Sequence, residues 1–552
     1  MKSFGFVIFD KTNAADEWMS IGYLSSWLNR LDEIKVQIGF YSFNDIEKAV
    51  ETTINEGYFA IGLPVITRNF YYVLEFVQQY KRRGGKGKVI LGNLASNDYA
   101  SFIFNRYEEV DIISFGESEH TLYEVCMRLL NSQNLDGCDG IWFRGENGDL
   151  IKNNQRKLEE DLDAFKFPDR TYYKKTTIFS ILGARGCMAN CTFCDSNSSF
   201  KYNHGSRVRL RSVKDILDEI ETLVNEDRYA YIIFQDQTFC NESDNFDRLD
   251  ELREGLAERD LKIQFSIMAR TEQITDLYIQ KMIELFKYGL SELFVGFEAG
   301  NAGDLKLFGK IAQIDAVNNA ARLLNKYKII TNESGILFRY GLINFHPYST
   351  FESLRENAEF IKKYNLPITL SWLSNKLVIS GTCAITKKIK KDGLCTQDIN
   401  MPLTDEYGYR YLDPRMNKVY EYMIYAVKFL AVTSGKAINI FAKLKTLYGD
   451  YSKRDDFKAV QNIMRDASQA TLEIYNTILD IVQYEMDDQL LKDLLIKYKD
   501  AFHAGSSKIE TINIRLSKDL YKKNMLAIWG DTSEENYVDA FLRDNLIAGK
   551  SN

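Results

Sequence analysis

Short runs of aliphatic, β-branched and aromatic residues recur along the first 150 residues. They lie at positions 6–9, 36–40, 59–63, 88–91 and 111–115. The stretches between them are long enough for helices, and residues 70–81 carry apolar side chains at Val73, Phe76 and Val77, the spacing of an amphipathic helix. Short strands that alternate with helices predict an α/β fold with a doubly wound, Rossmann-like parallel sheet.

Several of these predicted strands end in turns that contain glycine or polar residues. The turns are Gly62-Leu-Pro64, Gly92-Asn93 and Phe115-Gly-Glu-Ser-Glu119. Because ligands of doubly wound sheets bind at the carboxyl ends of the strands, these turns define a candidate ligand face. A single glycine there can simply close a loop, whereas three glycine-bearing strand ends together favour a ligand face.

The alternation of strand-type and helix-type segments resumes in the middle of the chain. Strands are predicted at residues 178–182, 231–234, 263–268, 293–297, 338–343 and 368–370. Helical spacing fills the gaps, as in residues 213–224. Six consecutive strand–helix units predict a partial (β/α)6 barrel rather than a second open sheet.

Toward the C-terminus the strand pattern gives way to helical spacing, and residues 415–552 contain no proline. The pattern therefore predicts four segments. These are a Rossmann-like domain at 1–150, a charged linker at 151–172, a barrel at 173–390 and a helical C-terminal domain at 391–552.

The charge balance and hydropathy exclude several classes of protein. The 70 Lys and Arg residues are nearly matched by 77 Asp and Glu residues, without a long run of one sign, so no nucleic-acid partner is expected. No apolar stretch reaches the roughly 18 residues of a membrane helix, so no membrane partner is expected. The N-terminal residues lead directly into a strand, without a signal-peptide pattern, which favours a cytoplasmic location.

Three of the eight cysteines are clustered directly after the predicted strand at 178–182. The segment reads Gly183-Ala-Arg-Gly-Cys187-Met-Ala-Asn-Cys191-Thr-Phe-Cys194. Three thiolates with this spacing can converge on one face of an iron–sulfur cube and leave the fourth iron without a protein ligand. An open coordination position permits chemistry. The alternatives are a zinc site with His204 as fourth ligand, or three unrelated thiols.

A Cys-x3-Cys-x2-Cys loop after the first strand of a βα barrel resembles that of the radical S-adenosylmethionine (SAM) superfamily. The resemblance implies a [4Fe-4S] cluster on Cys187, Cys191 and Cys194, with SAM bound to the open iron through its amino and carboxylate groups. It also implies that one electron from an external reductant, such as flavodoxin or ferredoxin, cleaves SAM to a 5′-deoxyadenosyl radical. Phe193 would pack beside the adenine.

Two further segments resemble the family's SAM-binding motifs, in the same order along the chain. Gln235 and Asp236 lie in a segment that resembles the motif meeting the SAM amino group. Ser266 and Arg270 lie where relatives use a hydroxyl and a guanidinium for the ribose and carboxylate, and a guanidinium fork suits a carboxylate.

The last barrel motifs also have counterparts here. Val295-Gly-Phe-Glu298-Ala-Gly300 resembles the strand whose glutamate reaches the SAM ribose or amine, with alanine in place of the usual serine. Ile343 ends a segment that resembles the fifth strand, and residues 380–382 resemble the Pro-Gly-Thr that closes the module, without its proline.

A Rossmann-like domain before such a barrel resembles the cobalamin-binding subgroup. The resemblance implies cobalamin contacts from the strand ends, namely Leu63, Pro64, Gly92, Asn93, Gly116 and Glu117. The Asp-x-His-x-x-Gly motif of other cobalamin proteins is missing, as it is from many members of the subgroup, and His120 lies in a different loop. Asn93 replaces the second glycine of a usual pair, so a domain that has lost its ligand remains the alternative.

The resemblance implies a cobalamin-dependent methyltransferase that acts on an unactivated carbon of a natural-product-type substrate. The runner-up is a radical oxidation, ring contraction, cyclisation or rearrangement, with cobalamin as redox partner or absent. There, Cys240 is a candidate hydrogen or electron donor, although a small core residue is the commoner role. A small-molecule substrate is favoured over a peptide. A non-enzymatic cobalamin or redox sensor is the third hypothesis, but it would need neither Arg270 nor Glu298.

Overall fold

The computed structural model of the chain describes most of its residues. They are 1–10, 17–173, 178–196, 200–202, 204–224, 230–237, 239–240, 246–310, 313–381, 383–398, 401–403, 405–430, 440–441, 443–444, 447–448 and 451–522. Two compact units emerge, each built from non-consecutive segments. The first comprises Met1–Lys174, Ala184–Asp215 and Val378–Gly408, and the second comprises Lys175–Gly183, Ile216–Leu377 and Tyr409–Asn552. The boundaries that the sequence indicates for four domains stay a prediction.

The first unit contains a seven-stranded sheet in the order β2-β1-β3-β4-β5-β6-β7. Its strands are β1 Lys2–Asp10, β2 Ile34–Ser42, β3 Ala60–Pro64, β4 Lys88–Gly92, β5 Ile112–Ser114, β6 Ile141–Arg144 and β7 Leu150–Lys152. The five strands β1 to β5 are parallel, whereas β6 and β7 are antiparallel to their neighbours. The predicted doubly wound parallel sheet is therefore confirmed.

Helices cover both faces of this sheet. In the first unit they are Met19–Leu28, Ile46–Glu56, Phe70–Arg82, Leu94–Asp98, Ala100–Arg106, Glu119–Leu130 and Ala384–Lys391. Side chains of β1 alternate between two separate cores: Val7 and Phe9 join one, whereas Phe6 and Ile8 join the other. A strand that is buried on both faces reads as a continuous apolar run, which explains the pattern of residues 6–9.

Asn69 joins the carboxyl ends of β1 and β3, between which the strand order reverses. Its side-chain Nδ2 donates to the carbonyls of Phe9 (3.2 Å) and Pro64 (3.1 Å). Its Oδ1 accepts from the Ile66 N–H at 2.8 Å, and the residue is fully buried. Ligands of doubly wound sheets bind where the strand order reverses, so this amide fixes the geometry of the candidate ligand face.

The second unit contains a five-stranded parallel sheet in the order β14-β13-β12-β11-β8. Its strands are β8 Ile178–Ile181, β11 Tyr231–Phe234, β12 Gln264–Arg270, β13 Leu290–Glu298 and β14 Leu337–Leu342. Five of the six predicted strands are confirmed, but the prediction of a strand at 368–370 is wrong. Thr369 instead caps the short helix Leu370–Leu373, and an isolated parallel bridge joins Phe345 to Lys376.

Helices follow the strands of the second unit and make up its C-terminal part. They are Asp247–Glu258, Asp276–Phe286, Ala302–Leu307, Ile314–Lys326, Phe351–Tyr364, Leu370–Leu373, Arg415–Leu430, Asp455–Gln483, Gln489–Lys522 and Val213–Leu223, the last beginning in the first unit. Leu337 of β14 packs in one core with Phe457 and Leu516 of the two longest helices. None of the described helices combines the length and apolarity that crossing a membrane requires.

We expect Asn69→Ala to lower the free energy of unfolding of the first unit by roughly 2–3 kcal/mol, because two strand-end carbonyls and one N–H would lose their buried partner. Urea unfolding followed by tryptophan fluorescence measures the loss. Asn131→Ala is the control, since Asn131 makes an exposed bond to the Met127 carbonyl and its loss should cost less than about 0.5 kcal/mol. Equal losses in the two variants would contradict the role given to Asn69.

Candidate functional site

The three clustered cysteines lie in one loop of the first unit, closed at its base by a two-residue strand pair. Strand β9 (Ala184–Arg185) pairs antiparallel with β10 (Arg209–Leu210), so Arg185 lies opposite Arg209. The residues Cys187, Cys191 and Cys194 are partly exposed. The loop therefore carries three partly exposed cysteines while its two ends are held together.

Arg207 holds the first half of the cysteine loop. Its Nε donates to the Cys187 carbonyl at 2.8 Å, and its NH2 donates to the Ala189 carbonyl at 2.6 Å. The Ala189 N–H in turn lies 3.4 Å from Cys187 Sγ. Gly186 has a φ of +89°, and a Cβ there would lie 1.9 Å from the Arg207 carbonyl oxygen, so only glycine fits.

A second segment of the first unit lies against the other half of the loop. The Ile385 N–H donates to the Thr192 carbonyl at 3.0 Å. The buried Cys383 thiol lies 3.1 Å from Asp195 Oδ1 and 3.7 Å from the Phe193 carbonyl. These bonds fix the backbone of Phe193, the expected adenine neighbour. Ser380 also bonds Asp195, and Thr382 of the predicted closing motif lies outside the described residues.

The donor set of the loop fits a [4Fe-4S] cluster, because Cys187, Cys191 and Cys194 supply three thiolates and leave one iron without a protein ligand. In the part of the chain that the structure describes, no group of three His, Cys, Asp or Glu side chains forms a ready-made site for a metal ion.

In the second unit, the predicted SAM contact Asp236 holds the peptide that precedes the cysteine loop. Its Oδ1 accepts from the Gly183 N–H at 2.7 Å, while Arg248 donates to the Gly183 carbonyl at 2.9 Å. The neighbouring Gln235 donates to Ser180 Oγ at 3.2 Å. Both predicted residues therefore fix the end of β8, from which the loop departs.

Glu298 lies at the end of β13 in a conformation that glycine more commonly adopts, with a φ of +67°. Its carboxylate lies over Gly296 and Gly341, which face each other on β13 and β14. A Cβ on these glycines would come within 2.5 Å and 3.1 Å of the carboxylate oxygens. Strain of this kind clusters at functional sites, and two glycines make the room for it.

Lys310 is a site residue that the sequence analysis missed. Its Nζ donates to the Gly296 carbonyl at 3.1 Å and lies 4.0 Å from Glu298 Oε1, with 5% of the side chain exposed. Burial raises the pKa of Glu298, and Lys310 opposes that rise. The sequence offered one signal for Lys310, namely a lysine twelve residues after the glutamate and beyond the short helix Ala302–Leu307.

Of the remaining predicted SAM residues, Ser266 and Arg270 lie on β12, and Ile343 directly follows β14. Arg270 ends β12, and its Nε donates to Glu272 Oε1 at 2.7 Å, which fixes the guanidinium plane. Ser266 lies on the same strand. The Ile343 N–H donates to the Glu298 carbonyl at 2.8 Å. Cys240 is 2% exposed, and its carbonyl accepts from Gln273 Nε2 at 3.0 Å. This burial and this hydrogen bond are consistent with a structural role for Cys240.

The six residues expected at cobalamin lie in three pairs at the carboxyl ends of β3, β4 and β5. Leu63 and Pro64 are buried within the sheet edge. Gly92 has open space where a Cβ would point, and Asn93 is exposed with a φ of +74°. The last two, Gly116 and Glu117, follow β5. The open edge at Gly92 leaves room for a flat ligand. The Glu117 carboxylate, in contrast, forms ion pairs with two arginines.

His120 does not lie on this edge as a free imidazole ligand. It packs between the rings of Trp27 and Phe165, at centroid distances of 4.7 Å and 5.8 Å, and its Nε2 lies 3.4 Å from Glu159 Oε2.

Glu298→Gln should stabilise the cofactor-free protein more, relative to wild type, at about pH 8 than at about pH 5. Because the folded-state pKa of Glu298 is raised, wild-type stability falls as pH rises through that pKa, whereas glutamine binds no proton. Melting temperatures across this range measure the difference. Glu333→Gln is the control, because the pKa of Glu333 is lowered and its difference should stay flat. A flat difference for Glu298→Gln would contradict the assignment.

A model of the Radical SAM superfamily matches residues 181–361. Among curated proteins, 4′-phospho-dehydrooxetanocin synthase of Priestia megaterium is 24% identical over 375 residues. That match covers 62% of this chain and 48% of the relative, so the chain spans about half of that relative's length. The matched range begins within β8 and ends within the helix Phe351–Tyr364.

Two solved structures share the fold. The cobalamin-dependent SAM radical enzyme OxsB, with aqua-cobalamin and SAM bound, matches with a TM-score of 0.67 and 16% identity over 100% of this chain and 84% of its own. The radical SAM methyltransferase TsrM from Kitasatospora setae, with cobalamin and a [4Fe-4S] cluster bound, matches with a TM-score of 0.59 and 14% identity over 85% of this chain and 100% of its own. Residues 181–361 are thus a radical SAM superfamily domain, in a chain with the fold of cobalamin-dependent radical SAM enzymes.

Proposed function

We propose that this protein is a cobalamin-dependent radical SAM enzyme that methylates an unactivated carbon of a small-molecule substrate. The observation that carries the proposal is the cysteine loop: its backbone is held by Arg207 and by the 383–385 segment, while its three cysteines are partly exposed. A loop held in this way fits a cluster with one open iron. The fold of the whole chain, which is that of cobalamin-bound enzymes, supports the proposal of a cobalamin cofactor.

The chain's own residues would bind and orient these cofactors. When bound, the cluster and SAM supply a 5′-deoxyadenosyl radical, and cobalamin supplies a transferable methyl group. Glu298 would accept hydrogen bonds from the SAM ribose or amine, and Lys310 would balance its charge. Arg270, its plane fixed by Glu272, would face a carboxylate. An external flavodoxin or ferredoxin would supply the electron.

Cobalamin would lie along the carboxyl ends of β3, β4 and β5. The support is geometric: the strand order reverses between β1 and β3, and the edge at Gly92 and Asn93 is open. The fully buried Asn69 gives this edge a fixed shape without protruding from it. The exposed Asn93 would contact the macrocycle directly.

A second candidate function keeps SAM cleavage but transfers no methyl group. Its support is the name of the curated relative, a synthase, and the full-length match to OxsB, which is described as a radical enzyme rather than a methyltransferase. An oxidation, ring contraction or rearrangement would use the same cysteine loop and the same SAM contacts. Only the fate of the substrate radical would differ.

Cys191→Ala should abolish both the iron content and the formation of 5′-deoxyadenosine, because three thiolates are needed for the cluster. Cys395→Ala is the matched control, since Cys395 is also partly exposed but lies outside the loop. Anaerobic reconstitution with iron and sulfide, iron counting and chromatography after dithionite and SAM measure both properties. Full activity in Cys191→Ala, or equal loss in the control, would refute the cluster.

The methylating and non-methylating functions differ in a product that forms without the substrate. With reduced cobalamin and SAM, a methyltransferase of this kind should release S-adenosylhomocysteine, because the methyl group leaves SAM for the cofactor. The non-methylating enzyme should release 5′-deoxyadenosine alone. Chromatography of both nucleosides decides between them, and Cys191→Ala serves as the control that makes no 5′-deoxyadenosine. Absence of S-adenosylhomocysteine in the wild type would exclude the methyltransferase.

A further inference from the structure

We propose that Glu117 is a positioning residue that couples the cobalamin face of the first unit to the base of the cysteine loop. The proposal rests on the proposed function, since it assumes that cobalamin lies at the carboxyl ends of β3 to β5. Sequence analysis places Glu117 at the cobalamin. The structure instead shows its carboxylate between two arginines that close the cysteine loop.

The carboxylate contacts both strands at the base of the loop. Arg185 NH1 donates to Glu117 Oε2 at 2.8 Å, and Arg209 NH1 donates to the same oxygen at 3.2 Å. Arg209 NH2 also donates to Glu117 Oε1. Arg185 precedes Cys187 by two residues, so Glu117 is tied closely to the first cysteine.

Without a carboxylate, the strand pair at the base of the cysteine loop would be unstable. Arg185 and Arg209 lie directly opposite each other on β9 and β10, with only 13% and 4% of their side chains exposed. Like charges opposite each other destabilise a strand pair, and burial makes unpaired charge costlier still. Glu119 neutralises Arg185 from one side at 2.7 Å, but of these two carboxylates only Glu117 is shown bonded to both guanidiniums.

The pKa of Glu117 reflects this balance. Burial alone would raise it, but Arg185 and Arg209 outweigh burial and hold the pKa below its ordinary value. The carboxylate therefore stays charged at neutral pH. It serves as a fixed anion between two cations rather than as a proton donor to a ligand.

Glu117 is equally tied to the ligand face. It follows Gly116, whose φ of +68° turns the chain after β5. The buried Asn97 holds this turn, since its Nδ2 donates to the Ser114 carbonyl at 2.6 Å and its Oδ1 accepts from the Gly116 N–H at 3.3 Å. A ligand pressing on the turn at Gly116 would restrict Glu117, and through it the loop base.

A second link joins the same two regions of the first unit. Asp98, at the end of the helix that begins after Asn93, accepts hydrogen bonds from Lys201 Nζ at 2.7 Å and from the Tyr202 hydroxyl at 2.6 Å. Lys201 and Tyr202 belong to the segment between β9 and β10. Because coupling between sites is reciprocal, occupancy of the cobalamin face should order the cysteine loop, and the reverse.

The test is hydrogen exchange of the cofactor-free protein over residues 186–196, with and without hydroxocobalamin. In the wild type, hydroxocobalamin should slow exchange there. In Glu117→Gln, exchange without ligand should be roughly tenfold faster, as expected when a charged hydrogen bond is lost, and hydroxocobalamin should no longer slow it. Glu124→Gln, which removes a carboxylate paired with Arg128 and Arg156 on the neighbouring helix, should behave as the wild type.

Cobalt counting after gel filtration separates the possible failures. If the variant retains cobalt and still shows wild-type slowing, the coupling is refuted. If the wild type retains no cobalt, the cobalamin part of the proposed function fails and the coupling fails with it, while faster exchange in Glu117→Gln would still identify the anchor. Should Glu117→Gln not fold, Glu117→Asp keeps the charge but shortens its reach, and unchanged slowing in it would refute the proposal.

Discussion

The candidate site depends on side-chain hydrogen bonds that hold the cysteine loop, because this loop has almost no regular secondary structure of its own. Three thiolates would need fixed positions to hold one cluster, yet the residues between Cys187 and Cys194 form neither a helix nor a strand. Hydrogen bonds from arginine side chains hold the loop in place of the backbone hydrogen bonds of a helix or strand. Arg207 holds two carbonyls of the loop, and Arg185 and Arg209 close its base. Arginine suits this task because its rigid fork bonds several acceptors at once.

The backbone of Glu298 is strained, and this strained conformation sets the direction of its side chain. A carboxylate that is to meet a ligand must project from the strand end, and the positive φ aims it over two glycines. Its charge is costly where it is buried, so Lys310 lies beside it. The sequence motif points to Glu298 but not to Lys310, because nothing local to Lys310 shows that the short helix Ala302–Leu307 returns the chain to β13.

The hydropathy pattern predicts those parallel strands well that are buried on both faces and read as apolar runs, as in β1 and β3. It fails at 368–370, where the Ile-Thr-Leu run has strand propensity but Ile368 bonds Ser468 through both its N–H and its carbonyl. The hairpin of β6 and β7 was also missed, although Asn147-Gly148 between them is a turn signal. Strand pairs of two residues, such as β9 and β10, are too short to carry any pattern.

The role of Glu117 shows where inference from motifs ends. A motif gives the residue types at a strand end, but it does not tell whether a carboxylate there faces a ligand or a neighbouring chain segment. The two arginines that decide the matter lie 68 and 92 residues away in sequence. Their charges need a buried counter-ion wherever the loop closes. The carboxylate at the end of β5 is therefore bonded to the base of the cysteine loop, and the proposed coupling to cobalamin runs through the turn at Gly116.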